Sequence, residues 1–71
     1  MSTHNQALFT VRKAKGLTQG ALAERVGVAT STVAFIELGQ REPTLRVALR
    51  IAKVLGASVE RLFADHMEAA R

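Results

Sequence analysis

Hydrophobic residues recur at helical spacing along most of this chain, and single glycines separate the stretches in which they do so. These glycines are Gly16, Gly27, Gly39 and Gly56, and the segment Arg41-Glu42-Pro43 adds a further break. Intervals of about ten residues between breaks suit short helices joined by tight connections. The pattern therefore predicts several short elements rather than a few long ones.

The first two stretches are predicted to be helices. Gln6–Lys15 ends in basic residues ahead of Gly16, which is typical of a helix C-terminus. Thr18 is placed to cap a second helix, Gln19–Val26, and Gly27 is placed to end it. The apolar residues expected to face inward from these two helices are Leu8, Val11, Leu22, Ala23 and Val26.

The next stretch, Val28–Leu38, is ambiguous from its local pattern. It is rich in residues that suit a strand as well as a helix, namely Thr30, Thr32, Val33, Phe35 and Ile36. No second strand pattern exists to pair with it, so a helix is preferred, with Val33 and Ile36 facing inward.

Two more helices are predicted after this stretch. Pro43 and Thr44 suit the start of a fourth helix, which Gly56 ends. Its inward stripe is expected to be Leu45, Ala48, Leu49, Ala52 and Leu55. Ser58 is placed to cap a fifth helix. The residues of that helix expected to face inward are Val59, Leu62 and Phe63.

Length and composition narrow the class of protein. The chain has 71 residues, which is enough for one domain. Together with the five predicted helices, this length predicts an all-α five-helix bundle with its core at residues 6–63 and a C-terminal tail at 64–71. The absence of cysteine excludes disulfides and Cys-ligated zinc and favours a reducing cytoplasm. No apolar run approaches the roughly 20 residues of a membrane span, and we expect no membrane partner.

The formal net charge of +4 favours a polyanionic partner such as nucleic acid, although small domains are often mildly basic. The aromatic residues are Phe9, Phe35 and Phe63, too few for the stacking platforms of single-strand binders.

The window Gln19–Leu38 has the residues that two closely crossing helices need. Helices that cross at roughly 90–120° through a short turn need a residue that tolerates positive φ at the corner, and Gly27 supplies it. Ala23 supplies a small side chain where the two helix axes approach. Aliphatic residues on both sides join the pair to the rest of the bundle.

On these residues the chain resembles the Cro/repressor-like (XRE-type) helix-turn-helix family of short bacterial and phage transcriptional regulators. The matching positions are Leu8 with Arg12, Gly16-Leu17-Thr18-Gln19, Leu22-Ala23, Gly27-Val28, Ile36-Glu37, Gly39, Pro43, Ala52 and Leu55-Gly56. The resemblance implies that Val28–Leu38 is a recognition helix, so tertiary context decides between strand and helix there.

The resemblance also implies the residues that contact double-stranded DNA. Those expected to meet base edges in the major groove are Thr30, Ser31, Ala34 and Phe35. Those expected to contact phosphates are Thr18, Gln19, Thr32, Gln40, Arg41 and Arg46. Arg12 and Glu37 are implied to form a structural ion pair, with a phosphate contact and a catalytic acid as the alternatives.

The chain departs from the family at three positions. Phe35 replaces a long polar residue, Ala29 a polar helix cap, and Gly20 a helix former. A phenylalanine packs on a thymine methyl but cannot hydrogen-bond a base, and it has burial in the core as its alternative. These departures shift recognition towards phosphates and DNA shape.

A domain of this size buries little DNA surface, so we expect a homodimer on a palindromic operator. The surface expected to join the two copies is Val54, Val59, Leu62, Phe63 and Met67, with closure of the monomer core as the alternative. We expect no metal or cofactor, because His4 and His66 stand far apart and there is no cysteine. We expect no enzyme, because Asp65 and His66 do not face each other on a helix. We expect no small-molecule effector, because no pocket-forming domain is indicated.

The sequence-specific DNA-binding regulator is the preferred function. A protein-interaction module, such as an antitoxin-like partner protein, is the alternative from another class, and the short tail disfavours it. A restriction-modification controller protein is a narrower alternative within DNA binding, which the sequence does not distinguish from a general repressor.

Overall fold

Five α-helices and no strand make up residues 4–64, the part of the chain that this computed structural model describes. In chain order they are α1 Gln6–Ala14, α2 Gln19–Val26, α3 Thr30–Glu37, α4 Leu45–Leu55 and α5 Val59–Phe63. The all-α prediction is confirmed, and the ambiguous stretch forms a helix.

Four helices begin with a side-chain cap. The side-chain oxygens of Asn5, Thr18, Thr44 and Ser58 each accept a backbone N–H from the first turn that follows. α3 is different, because Ala29 stands at its cap position and makes no side-chain hydrogen bond. The missing polar cap noted in the sequence is therefore a real gap in the first turn of α3.

The core lies where α2 packs against α3 and α4, with α1 and α5 closing one side. Its buried side chains are Leu8, Val11, Leu22, Ala23, Val26, Val33, Ile36, Ala48, Ile51, Ala52, Leu55, Leu62 and Phe63. Most were predicted from helical spacing, since the inward faces of α1, α2 and α3 are those that the pattern indicates.

The predicted inward stripe of α4 is wrong at two positions. Leu45 and Leu49 are 63% and 53% exposed, while Ile51 is fully buried. The stripe that starts at Ala48 and includes Ile51 has the same three- and four-residue spacing as the one that starts at Leu45. Spacing alone could not choose between them, and packing against α2 and α5 selects the later stripe.

Asn5 is a buried polar residue that connects three parts of the fold. Its Oδ1 accepts from the backbone N–H of Leu8, 3.0 Å away, and its Nδ2 donates to the carbonyl oxygen of Leu62 at 2.8 Å. Its backbone N–H donates to the carbonyl of Glu37 at 2.8 Å. One side chain thus begins α1 and also attaches it to the end of α5.

We expect Asn5→Ala to lower the free energy of unfolding by about 2–3 kcal/mol, because it removes a helix cap and leaves the buried Leu62 carbonyl unpaired. Thr44→Ala removes only an exposed cap and should cost about 1 kcal/mol. Urea denaturation of both variants checks the prediction. Equal losses would show that the bond from Asn5 to Leu62 adds nothing.

Candidate nucleic-acid interface

The corner between α2 and α3 has the geometry that its residues predict. Gly27 ends α2 in the left-handed region, with φ of 89°. The backbone N–H groups of Gly27 and Val28 both donate to the carbonyl of Ala23, at 2.8 and 3.0 Å. Ala23 itself is buried where the two helices meet. This tight turn directs α3 away from α2 and leaves one side of α3 in solvent.

The two sides of α3 differ in burial. Val33, Ile36 and Glu37 are buried. The four residues expected to meet base edges lie on the other side: Thr30, Ser31 and Phe35 are exposed, and Ala34 is half-buried. Phe35 is 41% exposed, so its alternative placement in the core is excluded.

The start of α2 lies beside the start of α3. Thr18 is exposed, and its hydroxyl oxygen accepts from the N–H of Ala21 at 3.0 Å. A shallow depression at this point is lined by Thr18, Gln19 and Thr30 together with Lys13 of α1. The first turns of α2 and α3 and a lysine thus border one concave surface.

Gln19 has a partner inside the protein that the sequence does not indicate. Its Nε2 donates to Oε1 of Glu37 at 3.0 Å, and the residue is half-buried. A role at a phosphate therefore requires its amide to leave this bond or to use its second N–H group.

The segment after α3 folds back over the end of that helix. The N–H of Gln40 donates to the carbonyl of Phe35 at 2.9 Å, across Gly39 with φ of 76°. This turn places the guanidinium carbon of Arg41 6.0 Å from the centre of the Phe35 ring. Gln40 and Arg41 are exposed in this segment, and Arg46 is exposed in the first turn of α4. Thr32 is half-buried within α3.

Arg12 and Glu37 form an ion pair between α1 and α3. The Nε of Arg12 donates to Oε2 of Glu37, and Nη2 donates to Oε1 at 3.1 Å. The third donor atom, Nη1, reaches the carbonyl of Leu17 at 2.8 Å. Each side chain of the pair is 6% exposed. Both groups are thus held inside the fold, away from a phosphate or a substrate.

The residues expected at the surface between two copies do not share one environment. Leu62 and Phe63 are each 1% exposed, because α5 uses both to close the core against α1 and α4. Their assignment to a dimer surface is therefore corrected. Val54 and Val59 are half-buried and keep an accessible edge. Met67, like Asp65 and His66, lies outside the described residues.

Residues 4–64 contain no group of three or more histidines or carboxylates placed to hold a metal ion. None of the helices described is both long and apolar enough to cross a bilayer.

Comparison with known proteins gives a consistent result. The chain matches the helix-turn-helix family over residues 8–62. An uncharacterized HTH-type transcriptional regulator of Archaeoglobus fulgidus is 48% identical over 48 residues, which cover 68% of this chain and 69% of the relative. One from Methanocaldococcus jannaschii is 40% identical over 52 residues, covering 73% of this chain and 79% of the relative.

Solved structures resemble the whole fold. The restriction-modification controller protein C.AhdI from Aeromonas hydrophila has a TM-score of 0.78 and 38% identity, covering 86% of this chain and 92% of its own. The clp gene regulator ClgR from Corynebacterium glutamicum has a TM-score of 0.78 and 26% identity, covering 96% of this chain and 72% of its own.

We expect Arg12→Ala and Glu37→Ala each to lower the free energy of unfolding by about 3–5 kcal/mol, since each leaves a buried charge unpaired. Replacing both residues, as Arg12→Met with Glu37→Leu, should cost less than either single change. Urea denaturation measures all three. Unchanged stability of both single variants would contradict a buried pair that holds α1 to α3.

Proposed function

The chain belongs to the helix-turn-helix family of DNA-binding transcriptional regulators, and we propose that it acts by occupying a specific operator in double-stranded DNA. The observation that carries this proposal is the exposed side of α3, which a tight corner holds clear of the core. A helix so presented fits the major groove of B-DNA. Operator occupancy as proposed involves no chemistry, cofactor or small-molecule effector, and we assign the protein to the cytoplasm, where its DNA would be.

Base recognition is assigned to the exposed side of α3. Thr30 and Ser31 carry hydroxyl groups that donate to or accept from base edges. Ala34 and Phe35 offer apolar contact to thymine methyl groups. This short surface has few hydrogen-bonding groups, so the remaining discrimination is assigned to DNA shape.

Phosphate contacts are assigned to groups on α3 and on the elements before and after it. Thr18 and Gln19 lie at the positive N-terminus of α2. Gln40 follows α3, Arg46 lies in the first turn of α4, and Thr32 is on α3 itself. These contacts fix the position and orientation of α3 on the duplex, while the net charge of +4 supports attraction to DNA as a whole.

The regulator is proposed to bind as a homodimer. A single small module buries only about 600–1,000 Å² of its surface on DNA. Two copies on half-sites about 34 Å apart would double that contact and read a palindrome. The accessible edges of Val54 and Val59 support a surface at the end of α4 and the start of α5.

A controller of a restriction-modification operon is a second candidate function. It is supported by the 38% identity to C.AhdI, which this chain matches over 92% of that protein. The genes next to this one distinguish the two candidates, because a controller is encoded beside a restriction enzyme and its methyltransferase.

Selection from a random-sequence duplex library, repeated at two salt concentrations, tests operator binding. We expect an enriched palindrome whose half-sites lie about one helical turn apart, with affinity that falls as salt rises. Salt-dependent binding without an enriched sequence would instead indicate a non-specific binder. Absence of DNA binding, with a protein that co-purifies, would favour the interaction module.

Val54→Lys and Val59→Lys should each convert the dimer to a monomer, because a lysine charge is costly to bury between two copies. Sedimentation velocity measures the mass, and circular dichroism checks that each variant remains folded. Leu49→Lys is the matched control, since Leu49 is more exposed and lies about 140° around α4 from Val54. A monomer produced only by Leu49→Lys would place the dimer surface on the other side of α4.

A further inference from the structure

We propose that Phe35 and Arg41 act as one recognition unit, in which the ring contacts a thymine methyl group and the guanidinium hydrogen-bonds a guanine in the adjacent base pair. The proposal rests on the proposed function, because it assigns particular bases to the exposed side of α3. It also changes the role of Arg41, which the sequence alone assigned to a phosphate.

The backbone after α3 places Arg41 beside the ring. Gly39 takes a left-handed conformation, and the N–H of Gln40 closes the turn by bonding to the carbonyl of Phe35 itself. The guanidinium carbon then lies 6.0 Å from the ring centre, within the range of a cation–π contact. Phe35 therefore supplies the ring and also, through its carbonyl oxygen, fixes the turn that places Arg41 beside that ring.

The donors of Arg41 remain available, unlike those of Arg12. Both guanidinium groups lie near a phenylalanine, since Arg12 is 5.4 Å from the ring centre of Phe9. Arg12, however, uses Nε, Nη1 and Nη2 on Glu37 and Leu17. Among residues 4–64, no carboxylate pairs with Arg41, which is exposed. Its fork of N–H donors is thus positioned by the ring and free to bind a ligand.

Position and spacing favour a base over a phosphate. Phe35 lies on the side of α3 assigned to base edges, and the ring keeps the guanidinium close to it. The 6.0 Å between the guanidinium carbon and the ring centre is an upper limit on their separation along the duplex axis, and it is less than two base-pair steps of about 3.4 Å each. Bases in adjacent pairs are therefore within the combined reach of the two groups. Arginine donates two bonds to O6 and N7 of guanine, and an apolar side chain packs on the thymine methyl.

Two variants separate this unit from a simple phosphate contact. Arg41→Lys keeps the charge but loses the planar fork, and Phe35→Leu keeps an apolar contact but loses the aromatic face. Arg41 is exposed and Phe35 lies outside the buried core with 41% of its surface in solvent, so both variants should remain folded, which thermal melting checks. Arg46→Gln is the control for a phosphate contact, which should weaken binding to all sequences alike.

The measurement is library selection, followed by titration of the selected duplex with single base changes. We expect the wild-type motif to contain a thymine next to a guanine in each half-site. Discrimination for that guanine should fall roughly 5- to 150-fold in Arg41→Lys, with preference elsewhere retained. Phe35→Leu should also lower discrimination for the guanine, while the variant still prefers thymine at the neighbouring position. Replacing that thymine by deoxyuridine should weaken binding by the wild type.

The outcomes distinguish this proposal from the one on which it rests. A wild type that selects no sequence overturns both. A wild type that selects a palindrome while both variants keep its guanine preference overturns the recognition unit alone. The same holds if Arg41→Lys binds every sequence as the wild type does, because a lysine replaces an arginine at a phosphate without loss of base preference.

Discussion

The buried ion pair between Arg12 and Glu37 is the contact on which the arrangement of the first three helices depends. Two charges removed from water are tolerated only when they meet each other and further hydrogen-bonding partners. Those partners come from the α1–α2 connection, through the carbonyl of Leu17, and from the first residue of α2, through Gln19. α1, α2 and α3 therefore have one mutual geometry in which all these groups are paired.

This network lies directly behind the exposed side of α3. Glu37 is on the last turn of the helix, two residues after Phe35, and Gln19 is at the start of α2. The groups that hold α3 in place are thus close to the groups proposed to contact DNA. A helix of eight residues without a side-chain cap is marginal by itself, and α3 gains its fixed position from this pairing and from the core beneath it.

The sequence predicts those features of the fold that depend on neighbouring residues, such as the ends of a helix. It does not predict features that depend on contacts between residues far apart in the chain. The bounds of α2 are predicted in full because Thr18 and Gly27 mark its two ends. The buried side of α4 is predicted only in part, at Ala48, Ala52 and Leu55, because two stripes with the same spacing overlap and only packing distinguishes them. For Leu62 and Phe63 the sequence likewise leaves open a surface between two copies or the core of one, since a short apolar helix does not reveal whether its neighbour belongs to the same copy.

In the candidate site, too, some features are predicted from the sequence and others depend on contacts between distant residues. Helical spacing separates the exposed residues of α3 from the buried ones, with Val33 and Ile36 as the reference. The bond from Gln19 to Glu37 and the position of Arg41 over Phe35 are not apparent from spacing, because they depend on how α2 and the segment after α3 close around the helix. Asn5 likewise resembles an ordinary cap until the position of α5 is known.

The separation of buried from exposed residues along α3 has an evolutionary consequence. Val33, Ile36 and Glu37 maintain the scaffold, whereas Thr30, Ser31 and Phe35 face solvent and take no part in the core. Substitutions in the second group spare the core, so the surface proposed to meet bases can change between gene duplicates that keep the same fold.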